Sequence, residues 1–196
     1  MLNAPKPETQ RTLIPAGTHI ARCIGLIHIG NIPGEYMGEA KIFNKIRLTW
    51  ELPEELKVFK EGEDAKPLVI SQEYTLSMGK KSKLLPLVEG MIGTTLAEDE
   101  AYNFDHETLV GMPCLLSIAH KKSAKGTMYQ VVSSASRLMK GQVCKESFNS
   151  NKIITYTNWN QEYFDSLPEF IKDQMKTSKE YKALKGIEEE TLDVPF

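Results

Sequence analysis

Lys41-Ile-Phe-Asn-Lys-Ile-Arg-Leu-Thr-Trp-Glu-Leu-Pro53 is the stretch on which the reading of this chain turns. Side chains on a strand alternate between two faces. The even positions, Ile42, Asn44, Ile46, Leu48, Trp50 and Leu52, form a core face with one polar interruption. The odd positions, Lys41, Phe43, Lys45, Arg47, Thr49 and Glu51, form an outer face that sets an aromatic ring among three cations. A sugar-phosphate chain with its bases stacked on protein needs that mixture. Pro53 lacks a ladder donor and is expected to end the strand.

Upstream, β-branched residues predict an extended segment from Thr18 to Gly30, with a bulge or bend at Gly25. Gly30 to Ala40 holds three glycines and Pro33 and reads as a loop carrying Tyr36 near its tip. Downstream, Glu54 to Lys66 is a polar connection, and Leu68 to Met78 alternates as a third strand. Lys80, Lys81 and Lys83 follow it. A helix capped by Ser82, with Pro86 in its first turn and Gly90 at its end, comes next. Glu98 to Leu109 reads as a further helical turn. Pro113 to His120 and Thr127 to Ala135 are strands four and five, joined by a basic loop with Lys121, Lys122 and Lys125; Tyr129 opens the fifth strand.

Three strands, a helix and two strands, with a long bent first strand, is the order of the five-stranded OB-fold barrel, a mainly β architecture. It places residues 13–140 in an OB-fold nucleic-acid-binding domain after a flexible N-terminus (1–12). The OB fold binds its ligands across strands 2 and 3 and the loops joining strands 1–2 and 4–5, which would gather Lys41, Phe43, Lys45, Arg47, Tyr36, the Lys80–Lys83 group, the Lys121–Lys125 group and Tyr129. Residues 141–186 read as a helical appendage. Trp159, Tyr163, Phe164, Leu167, Phe170, Ile171 and Met175 recur at helical spacing there, and capping boxes are legible at Ser166–Glu169 and Thr177–Glu180.

Composition bounds the function. The 196 residues are 26% charged and 41% hydrophobic, without an apolar run of membrane-spanning length. Neither the three cysteines nor the four histidines have zinc-ligand spacing, and Cys23 and Cys114 lie in apolar runs that suit a reducing cytoplasm. Residues 1–145 carry 18 basic and 16 acidic side chains; residues 146–196 carry 6 and 10. The body is mildly basic and the end acidic. Glu98, Asp99, Glu100, Asp105, His106 and Glu107 keep a small magnesium-dependent nuclease open as an alternative, but they crowd one loop-helix, and no nucleophile or phosphate-loop signature accompanies them. No catalytic residue, cofactor or metal is assigned. A protein-binding adaptor without DNA affinity is the other alternative.

The chain ends Glu188-Glu189-Glu190-Thr191-Leu192-Asp193-Val194-Pro195-Phe196. An acidic run closing on an apolar Pro-Phe suits capture by a partner that buries the ring and meets the carboxylates with basic groups. This end is similar to the acidic tip of bacterial single-stranded DNA-binding proteins, which closes Asp-Ile-Pro-Phe. Pro15-Ala-Gly-Thr18, Arg47-Leu-Thr-Trp-Glu-Leu-Pro53, Gly111-Met-Pro-Cys-Leu-Leu116 and Leu167-Pro-Glu-Phe-Ile171 resemble bacteriophage-encoded single-stranded DNA-binding proteins. The resemblance implies sequence-nonspecific binding of single-stranded DNA in replication and recombination within the host cytoplasm. It also implies that Glu188, Glu189, Glu190, Asp193, Pro195 and Phe196, in a disordered tail over 187–196, recruit replication or recombination proteins. A homo-oligomer is compatible with it. The bacterial proteins separate barrel from tip by a long Gly/Gln/Pro-rich linker, whereas here helices are expected almost to the tip.

Overall fold

The computed structural model describes residues 13–187. Strands dominate: β1 (Gly17–Tyr36), β2 (Glu39–Lys57), β3 (Lys66–Thr75), β4 (Pro113–Lys122), β5 (Met128–Ser136) and β6 (Lys152–Ile154). Five helices accompany them: α1 (Leu84–Ile92), α2 (Glu98–Tyr102), α3 (Gln161–Ser166), α4 (Glu169–Lys176) and α5 (Lys179–Leu184), with a 3-10 turn at His106–Leu109. The sheet runs β3-β2-β1-β4-β5 in antiparallel order, with β6 added parallel to β1. It has six strands, and its ladder does not close.

The first hairpin is longer than its glycines suggest. Instead of a loop over 30–40, β1 continues to Tyr36 and pairs with β2 as far as Glu39. The reversal needs only Met37 and Gly38, both at positive φ (55° and 84°), the pairing of signs a tight two-residue hairpin demands. Pro33 is tolerated because β1 beyond Ile27 has a strand partner on its β2 side alone. Pro53 likewise does not end β2. It lies in a register shift between Leu52 and Leu56, where the missing donor costs no ladder bond, and the strand runs on to Lys57. The expected irregularity at Gly25 is present as a register shift between Cys23 and Gly25.

One edge of β1 is shared. β4 pairs with Gly17 to Arg22, and β6 takes over from Gly25 to Ile27. Across the sheet, the edge strands β3 and β5 are joined by one side chain. The Gln72 amide donates to Val132 O (3.1 Å) and accepts from Val132 N (2.8 Å), imitating a peptide group.

The interior collects Ala21, Cys23, Leu26, Ile46, Leu48, Trp50, Leu52, Ile70 and Tyr74 under α1. Ile42, expected on this face, lies beyond the core and is exposed. The polar interruption, Asn44, is satisfied by His28 Nε2 at 2.8 Å. Helix α1 runs past Gly90 and ends at Gly93, which is left-handed (φ 74°). Gly90 is where the helix backbone presses on β5; a Cβ there would lie 2.0 Å from Ala135 O. Ser82 Oγ accepts from Leu85 N at 3.1 Å, as a capping serine should, although the helix proper begins at Leu84. All three cysteines are free and buried, and burial pushes the Cys23 thiol up to about 12.

Residues 141–187 build a second, smaller core on the other side of β1. Ile27, Ile29 and Ile32 pack there against Ile154, Phe164, Leu167, Ile171 and Met175. Tyr156 ties the two parts together: its hydroxyl donates to Ile29 O and lies 2.8 Å from Ser178 Oγ. Neither capping box forms as written. Ser166 bonds back to Tyr163 O and Pro168 opens α4 without a side-chain cap. Ser178 caps α5 by accepting from Tyr181 N, while Glu180 reaches across to Asn31 on β1.

Candidate nucleic-acid interface

The outer face of β2 meets three different surroundings along its length. At the far end, Glu51 is fully buried, contrary to its expected exposure. Its carboxylate accepts from Phe148 N (2.7 Å), Asn149 N (2.9 Å) and Asn149 Nδ2 (2.6 Å), so the chain leaving the sheet is clamped over it. Arg22, the cross-strand partner of Glu51 on β1, holds the preceding residues of that segment, donating to Cys144 O and Lys145 O.

In the middle, Arg47 is not an open cation. Its guanidinium donates to Glu73 Oε1 at 3.2 Å and lies over the Phe170 ring of α4, 5.5 Å from the centroid, leaving the side chain 19% exposed. The helical appendage therefore covers the β1 side of this face and stops at Arg47.

Beyond Arg47 the face opens into a groove of about 800 Å³. Phe43 and Lys45 from β2 line it together with Tyr36 from the hairpin tip and Lys80, Lys81 and Lys83 from the segment before α1. Six of the expected binding residues are thus brought to one place. Phe43 stays half-buried because its ring crosses Gly34 on the partner strand; a Cβ at Gly34 would come within 2.9 Å of that ring. Lys41 is close to the groove without lining it: its ammonium sits over the Tyr36 ring, 5.5 Å from the centroid.

The β4–β5 residues are not part of this lining. Lys121 and Lys122 belong to the end of β4 rather than to a loop, paired with Tyr129 and Met128, and Lys125 lies in the turn between the strands. Glu188, Glu189, Glu190, Asp193, Pro195 and Phe196 lie outside the described residues, as do residues 1–12.

Compared with known proteins, the chain matches no family model and no curated protein.

Sequence reasoning missed Gln72, Glu73, Tyr74, Thr75 and Ser77 as groove residues. Glu73 is the consequential one, since it opposes Arg47 in the β2–β3 register and its Oε2 lies 3.9 Å from Lys45 Nζ. Alternation along β3 sets Glu73 on the face opposite Ile70 and Tyr74, and the register sets it against those two cations. Tyr74 presents one side to the core, where it meets Trp50 edge-on at 6.5 Å, and burial raises its phenol well above the usual range.

Three acids of the 98–107 stretch are engaged in hydrogen bonds. Glu100 accepts from Ala97 N, Asp105 from Glu107 N, and Glu107 from the Thr155 hydroxyl. Among the described residues no group of three or more His, Cys, Asp or Glu side chains is placed to hold a metal ion. No helix among them is long and apolar enough to cross a membrane.

Proposed function

We propose that this chain binds single-stranded DNA without sequence preference, laying the strand along the groove between the outer face of β2–β3 and the Lys80–Lys83 segment. One observation carries the reading: Phe43, Tyr36 and four lysines from three separate parts of the sequence share a single groove. Aromatic faces accept any base, and cations track the phosphates, so the arrangement favours unpaired over paired strands and gives little base discrimination.

The strand order is that of an OB barrel, and the Gln72–Val132 bridge stands where β3 and β5 would close it. An OB-type assignment, the resemblance to phage-encoded single-stranded DNA-binding proteins, and an acidic end that recruits replication or recombination enzymes belong to this same proposal. The host cytoplasm is its setting.

Titration of labelled oligo-dT with the full chain, repeated over a salt series, tests it. The expected result is tight binding at low salt that weakens linearly in log–log form, together with much weaker binding to duplex of equal length. Equal affinity for duplex and single strand, or no binding at any salt, overturns the proposal.

A further inference from the structure

Four lysines and one carboxylate line the groove. The carboxylate is the anomaly, because Glu73 stands on the floor of a site whose other charges attract anions. Its two oxygens are divided between two cations, Oε1 with Arg47 at 3.2 Å and Oε2 with Lys45 at 3.9 Å. That is how two non-bridging oxygens of a backbone phosphate would be held. Glu73 is about a quarter exposed, so the contact is open to solvent on the groove side.

We propose that Glu73 is a built-in phosphate mimic, which occupies the Lys45–Arg47 position in the free protein and must be displaced by a strand phosphate. The inference rests on the nucleic-acid reading above and specifies how that site is regulated. Partly exposed ion pairs hold weakly, so displacement is cheap for a strand that also engages Phe43 and the lysines before α1. A lone phosphate has no such additional contacts. It competes with a carboxylate tethered beside the same cations, whose effective concentration is high. Glu73 thereby makes the groove reject small anions and accept a chain of them. The Phe170 ring keeps Arg47 in place on its other side, so release of the carboxylate does not release the cation.

The test uses the full chain with labelled oligo-dT in a salt series, comparing the parent with Glu73→Gln, Glu63→Gln and the double variant Lys45→Gln/Glu73→Gln. Glu63 pairs with Lys60 and Lys66 in the β2–β3 connection and controls for the loss of one negative charge. Glu73→Gln is expected to tighten binding about three- to tenfold at low salt and to steepen the log–log salt slope by roughly 0.7, one additional phosphate neutralised on a single strand. Glu63→Gln should change affinity less than about twofold, its charge being screened over roughly 10 Å at 0.1 M salt. The double variant should lose most of the gain, since part of the vacated phosphate position is gone. Free phosphate at millimolar concentration should compete for DNA binding in Glu73→Gln and not in the parent.

Equal tightening by both single variants would mean general charge, and unchanged or weaker binding in folded Glu73→Gln, checked by circular dichroism, would mean a purely structural ion pair; either result overturns the mimic while leaving DNA binding intact. If the parent binds only at the lowest salt of the series while Glu73→Gln still binds at higher salt, the mimic is supported in its strongest form. If no variant binds at any salt, the nucleic-acid reading falls and the mimic falls with it.

Discussion

The two halves of one sheet face have opposite fates. Over β1, Ile27, Ile29 and Ile32 are sealed beneath three short helices, together with Ile154 of the neighbouring β6. Over the neighbouring part of β2, Phe43 and Lys45 open onto a groove. Both sets of side chains leave the same side of the same hairpin, and Arg47, packed on Phe170, marks the border. Alternation along a strand decides which face a residue takes. What covers that face is decided by chain tens of residues away, here the 141–187 segment. A solvent face and a second core are therefore indistinguishable in the strand's own sequence.

The contrast between the sealed half and the open half is best attacked first at the sealed half. Phe164→Ala empties the centre of the smaller core, where Phe164 stacks with Tyr181 at 5.4 Å and meets Trp159 at 4.9 Å. It should cost about 3–5 kcal/mol of stability by denaturant unfolding. If that core is an independent cover, the loss should fall on a first, partial unfolding step, leaving the near-ultraviolet signal of buried Trp50 unaltered. A single cooperative transition would instead make the two cores one unit.

Glu51→Gln probes the clamp at the far end of the same face. The amide keeps the shape but forfeits the charge that two backbone N–H groups and Asn149 converge on. A loss of about 1–3 kcal/mol is expected, accompanied by faster proteolysis within 145–150. A change below about 0.5 kcal/mol, the usual size at an ordinary surface site, would deny the clamp.

On the open half, Phe43→Ala should leave the melting temperature nearly unchanged and cost roughly 1–3 kcal/mol of oligo-dT binding if a base stacks there. Lys125→Ala, outside the groove, should weaken binding less than Lys45→Ala does. The reverse order would move the strand path to the β4–β5 hairpin.

The smallest effect near neutral pH belongs to the acids whose folded values burial raises, Cys23 and Tyr156 among them. Burial lifts Cys23 to about 12 from its ordinary 9.0 and Tyr156 to about 12 from 10.0. In each, the unfolded form ionises first, so the stability contributed is complete below the ordinary value and is lost as pH climbs towards 12. The melting temperature should therefore be flat through pH 8 and begin to fall above about 9. In Tyr156→Phe the part of that fall above pH 10 should shrink.

Much of the fold was legible in the chain. The core face of β2 from Ile46 to Leu52, the alternation of β3, the strand nature of β4 and β5 and the capping role of Ser82 all follow from local pattern. Hairpin length was not, because glycines at 30, 34 and 38 signal a loop whether they break a ladder or, like Gly34, make room for a cross-strand ring. The site was half legible. Parity put Phe43 and Lys45 outward, but Glu73 against Arg47 depends on a strand register, and Phe170 against Arg47 on a fold-back of more than a hundred residues; neither leaves a local trace.

The Gln72 bridge gives the sheet an unusual order of assembly. β1 and β2 zip from a two-residue turn, and β4 and β5 close over a short one, so each hairpin forms with little loop entropy to lose. The link between the two outer edges joins residues 60 positions apart and rests on one side-chain amide rather than a run of ladder bonds. Contacts of that span are made late, when little chain remains free to be restricted. It is also the seam at which the finished sheet has least to break. Reversible parting there would widen the groove at its β3 margin, which Gln72 itself lines.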